Sequence, residues 1–130
     1  MKKIIYILLL FYSIANFSQN NEIKEDTNIY ALNGIEVRPE FPGGSEKLNA
    51  YINEGLLKAG FETLPKEKTR TVAITTFVVE KDGSLSDIKV LGKIDSRKSE
   101  AVIKILKSSP KWSPGKQNAK IVRVSYVIPL

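Results

Sequence analysis

The side chains of this 130-residue chain that bear on chemistry are few. Ser84, Ser86, Ser108 and Ser109 become nucleophiles only beside an activating base. The chain has no His, which leaves a Ser–Lys pair, and no local spacing marks one. The absence of Cys removes thiol nucleophiles and disulfides and, with His also missing, the usual zinc sites. Asp82, Asp87 and Asp95 lack the spacing of a calcium loop and read as turn and capping residues. Gly43-Gly44 and Pro114-Gly115-Lys116 are glycine-containing turns without the Gly-x-x-x-x-Gly-Lys-Ser/Thr spacing of a phosphate loop. Trp112 has two readings, a lid on the core or a ligand platform, and its place between a helix and a strand favours the lid. The chain therefore offers no recognisable catalytic set and no metal or cofactor motif, and neither a small-molecule substrate nor enzyme activity is expected.

Charge points the same way. The formal net charge is +6. Without Lys2 and Lys3 the count is 18 basic residues against 14 acidic. That balance is mildly basic, with no cluster of cations and stacking aromatics of the kind a nucleic-acid groove needs. Lys2 and Lys3 precede an uninterrupted apolar stretch from Ile4 to Tyr12, then small and polar residues up to Ser18. This is the layout of a secretory signal peptide over residues 1–18, with a short inner-membrane anchor as the other reading, because the apolar core is about half of the ~20 residues a spanning helix needs. Either way the remainder is expected outside the cytoplasm.

The elements that must position any site follow from periodicity. Residues 72–79 form a β-branched run that is apolar on both faces and suits a central strand. Asp82-Gly83 then turns the chain into residues 84–91, where Ile88 and Val90 alternate with Asp87 and Lys89. Ahead of this hairpin, Gly44 or Ser45 opens a helix whose face carries Leu48, Tyr51, Ile52 and Leu56. Gly55 and Gly60 weaken its later turns. After it, Asp95 or Ser96 caps a second helix with Ala101, Val102, Ile105 and Leu106 as its apolar stripe. Pro114-Gly115 and Gln117-Asn118 mark turns. The last strand, residues 121–128, places Val122, Val124, Tyr126 and Ile128 on one face and Arg123 and Ser125 on the other. Residues 19–37 are a polar, flexible lead, within which residues 29–32 form an apolar patch able to add a strand to a sheet edge. The order helix, strand, strand, helix, strand predicts an α+β domain over residues 38–130, with two helices on one face of a small three-stranded antiparallel sheet.

Four blocks in this order carry a resemblance: Phe41-Pro42-Gly43-Gly44; residues 77–84 with Asp87-Ile88-Lys89-Val90; residues 109–118 around Lys111-Trp112-Ser113-Pro114-Gly115-Lys116; and Val122-Arg123-Val124-Ser125-Tyr126 with Ile128-Pro129. From about Arg38 to Leu130 the chain resembles the TonB C-terminal domain family in its Bacteroidetes form. The resemblance implies the same α+β fold. It also implies a periplasmic, non-enzymatic module linked to transmembrane transport, whose partners are TonB-dependent outer-membrane transporters. Such a module grips an extended segment of the transporter, the TonB box, by adding it to the sheet edge. The strand matching that pairing edge comprises Ile121, Val122, Arg123, Val124, Ser125, Tyr126, Val127 and Ile128. Unpaired N–H and C=O groups on an edge suit that role, since they bind main chain and ask little of sequence. The same edge also allows a homodimer, and hence a structural envelope protein that pairs with itself. Energy transducers of this family carry a Pro-rich spacer. Here no proline precedes Pro39, and residues 19–38 reach at most roughly 70 Å, so docking rather than force transmission is the implied role.

Overall fold

The computed structural model describes residues 24–63 and 73–130. The signal segment 1–18, Leu64-Pro65 and the charged approach at 66–70 lie outside the described residues. The apolar run after position 72 is the central strand of a mixed sheet. β2 (Ala73–Val79) pairs antiparallel with β3 (Leu85–Gly92) on one side and with β5 (Lys120–Pro129) on the other. Two short strands complete it: β1 (Ile29–Ala31), parallel to β5, and β4 (Gly115–Gln117), antiparallel to β5. The order is β1-β5-β2-β3, with β4 joined to β5. The expected antiparallel core of three strands is present, extended to five by β1 and β4.

Two helices cover one face of the sheet, α1 (Ser45–Lys58) and α2 (Ser96–Lys107). Leu48, Ile52 and Leu56 of α1 and Val102 and Leu106 of α2 meet Phe77 and Val79 of β2 and Ile128 of β5 in one buried core. Gly44 stands at the N-cap of α1 without a side-chain cap bond, whereas the Asp95 carboxylate accepts the Arg97 N–H at 2.7 Å and caps α2. Gly55 has a role the sequence does not suggest. A Cβ there would lie 2.6 Å from Ile105 Cγ1, so the missing side chain lets the two helices approach. Tyr51 Oη donates to the Ile105 carbonyl at 2.9 Å across the same contact.

The β2–β3 turn is tied to the far end of the chain. Gly83 has φ +84°, and a Cβ on it would lie 2.1 Å from the Trp112 carbonyl oxygen. The Trp112 N–H donates to the Gly83 carbonyl at 2.9 Å. Trp112 is a core residue, 3% exposed. Its ring meets those of Phe41, Phe77 and Tyr126 edge-on at centroid distances of 5.6, 5.4 and 5.1 Å, and its Nε1–H donates to Ser109 Oγ at 2.9 Å. One turn falls elsewhere than expected. Pro114-Gly115 leads into β4, and the chain reverses at Asn118-Ala119, which have φ of 52° and 61°.

Candidate docking site

β5 alternates as its sequence dictates. Val122, Val124 and Ile128 are buried, Tyr126 packs against the core, and Arg123 and Ser125 occupy the opposite face with exposed Val127. The sheet order, however, makes β5 the second strand and not the outermost. Along residues 124–129 it pairs with β2, and along residues 123–125 β1 lies on its other side, with Ile29 opposite Arg123, Tyr30 opposite Val124 and Ala31 opposite Ser125. Lys120, Ile121 and Val122 pair with β4. Among the described residues, Tyr126, Val127 and Ile128 have ladder partners only in β2. The apolar patch at residues 29–32 thus becomes a strand on the β5 side of the sheet.

A polar latch holds β1 there. Arg123 grips Glu80 with two parallel bonds, Nε to Oε2 at 2.8 Å and Nη2 to Oε1 at 3.0 Å, and Ser86 Oγ donates to Glu80 Oε1 at 2.5 Å. Those bonds, Arg123 first, hold the Glu80 carboxyl below its ordinary range. The third guanidinium nitrogen, Nη1, donates to the Thr27 carbonyl at 3.0 Å, and Lys81 Nζ reaches Glu25 at 3.2 Å. The Asp26 carboxylate accepts from Tyr30 Oη at 2.6 Å and from the Asn28 N–H at 3.0 Å, and these bonds lower its pKa. The stretch read as flexible lead is therefore engaged from Glu25 onward. No β1 residue belongs to the core, and Ile29 is 50% exposed. The strand is held by main chain and surface polar contacts.

Beyond β1 the chain turns at residues 32–36 and is pinned again. Val37 and Lys116 exchange both backbone bonds at 3.1 and 3.0 Å, as do Glu40 and Ser113 at 2.9 and 2.8 Å. A cleft of about 510 Å³ opens where this turn leaves β5, lined by Leu32, Asn33, Ile35, Arg38, Ser125 and Val127.

A family model described as Gram-negative bacterial TonB protein C-terminal matches residues 65–130. The chain belongs to that family. Its members are interaction domains of the periplasm that engage TonB-dependent transporters. The matched stretch begins at residue 65, later than the resemblance traced from Arg38, so α1, β1 and the Phe41-Pro42-Gly43-Gly44 turn fall outside it. No curated protein and no solved structure matches the chain. Among the described residues no helix is long and apolar enough to cross a membrane.

The side chains first weighed for chemistry serve structural ends. Ser84 donates to Asp82, whose carboxyl is drawn down to about 2 by the Ser84 hydroxyl and N–H and by Lys111. Asp87 pairs with Lys89 at 3.3 Å, and Asp95 caps α2. Among the described residues no three His, Cys, Asp or Glu side chains gather to hold a metal, and no serine hydroxyl bonds a lysine. Sequence reasoning placed Arg123 and Ser125 on the outer face but missed the partners of that face, Glu80, Lys81 and the Thr27 carbonyl. The signal available was charge: Glu80-Lys81 ends the strand adjacent to the one carrying Arg123.

Proposed function

We propose that this protein is a periplasmic docking module that binds extended segments of TonB-dependent outer-membrane transporters, the TonB box among them, by strand addition along β5. Membership of the TonB C-terminal family supports the class of partner. One observation supports the site: the outer side of residues 123–125 accepts an extended stretch of polypeptide, β1, by main-chain pairing, with polar side-chain contacts beside it and none to the core. Arg123 and Ser125 flank whatever lies there, and Val127, 43% exposed, continues the rail. Recognition of this kind takes its affinity from backbone bonds and only modest selectivity from flanking side chains. Binding, not catalysis, is the function.

The test is an NMR titration of the chain with peptides copied from the N-terminal periplasmic segments of the host's transporters. Shifts concentrated on residues 121–128 are expected. Absence of shifts at millimolar peptide, together with a concentration-dependent dimer whose β5 amides are protected, would transfer this edge to self-pairing and end the transporter reading.

A further inference from the structure

We propose that residues 25–31 are an internal occupant of the docking edge, which a longer extended partner running parallel to β5 must displace. The inference rests on the docking reading above and adds what competes for the edge. Three observations carry it. First, β1 pairs with β5 through only three residue pairs and contributes no side chain to the core, so its departure leaves the core intact. Second, the Glu36 bonds to Gln117 and Asn118 and the bridges at Val37–Lys116 and Glu40–Ser113 fix the chain from Glu36 onward, so β1 can leave on a four-residue tether (residues 32–35) without loosening the domain. Third, β1 cannot use the whole rail. Its parallel register would carry it on to residues 126–128, but the chain turns away at Leu32 to reach Val37, leaving that stretch facing the cleft at Ser125 and Val127. A separate segment has no such obligation to turn. It gains the pairs β1 makes and those β1 cannot reach.

The competition has a magnitude. A tethered strand acts at an effective concentration on the order of millimolar, so a free peptide meets a weakened apparent affinity, by the fraction of molecules with the edge open. The Glu25–Lys81 and Thr27–Arg123 contacts bias that fraction toward closure.

The experiment compares the full chain with an Ile29→Pro/Tyr30→Pro variant. Adjacent residues of a strand turn their N–H groups to opposite sides, so two successive prolines remove a ladder donor whichever residue supplies it. The probe is a synthetic copy of residues 24–32 added in trans and followed by NMR. The expected result is binding along residues 123–126 of the variant, the stretch that the register of β1 reaches, with a Kd at least about tenfold lower than for the unaltered chain. Hydrogen exchange should rise at residues 123–125 while β2 amides stay protected, which separates an opened edge from an unfolded domain. Equal affinity for both chains, shifts elsewhere, or no binding to either would overturn the proposal. Transporter peptides run in parallel keep the two readings apart. If they bind β5 equally well in both chains, docking stands and internal competition fails. If the self-copy binds the variant but transporter peptides do not, the internal occupant stands and the transporter assignment fails.

Discussion

The sheet has two flanks, and they are protected by opposite means. On the β3 flank the strand itself is made a poor template. Its register with β2 shifts between Thr76 and Val78, Asp87 sits at φ 49°, and Asp87 and Lys89 project as an ion pair. A bulge and outward charges blunt an edge permanently, because they are written into the strand. The β5 flank is different. β5 is ten residues long, its ladder with β2 runs through six consecutive pairs without a shift, and exposed Ile121 and Val127 lie along it. What protects it is a cover of three residues that has no root in the core. One flank is blunted by its own residues, and the other is covered by the separate strand β1.

Four substitutions break or sharpen the comparison. Trp112→Ala removes the ring shared by Phe77 of β2 and Tyr126 of β5, and both flanks should fail together at a cost of about 3–5 kcal/mol in chemical denaturation. Gly83→Ala forces a left-handed residue and a Cβ against the Trp112 carbonyl; a loss of roughly 2–4 kcal/mol is expected, and a thermal midpoint close to that of the parent would deny the close approach. Glu80→Gln acts first on the β5 flank through Arg123, and touches β3 only through the Ser86 hydroxyl. Glu80 and Arg123 are 25% and 29% exposed, so the pair should contribute about 0.5–1 kcal/mol. Its pH dependence has a defined sign. The folded carboxyl titrates below its ordinary range, so the contribution is complete above that range and is lost as pH falls through the lowered folded value. Acid titration of the variant should lack that limb, and hydrogen exchange at residues 123–125 should rise. Lys89→Val is the mildest in stability, within about 0.5 kcal/mol, but it strips a guard from the β3 flank. Light scattering should report more self-association than in the parent, and a variant that associates no more than the parent would mean the bulge suffices.

What was legible in the sequence was local. The Asp82-Gly83 hairpin, both helices and the Asp95 cap depend on neighbours within a few positions, and each is where periodicity puts it. Trp112 as a core lid was legible from its place between a helix and a strand. The features that were not legible depend on register over long separations. Nothing near Ile29 announces that its partner is Arg123, 94 positions on. Nothing local marks Val37 or Glu40 as paired, and only the fold brings Lys116 and Ser113 to them. Gly55 looked like a weak point in a helix because the approaching Ile105 belongs to a different helix. The turn marked at Gln117-Asn118 lies one position early, because Ala119 at φ 61° carries no turn signal.

The paired bonds between Val37 and Lys116 also give the molecule a mechanical layout. Tension entering at Lys24 meets the Glu25–Lys81 and Thr27–Arg123 contacts, then acts along β1, parallel to β5, and loads the three pairs in shear. Once they part, the twelve residues 24–35 can straighten to roughly 40 Å before the bonds of Glu36 to Gln117 and Asn118 take the load. Only then does the pull arrive at Val37, where two backbone bonds bolt the chain to the strand beneath the tryptophan. The segment before the domain is in this sense a fuse, yielding first and leaving the hydrophobic layer unloaded.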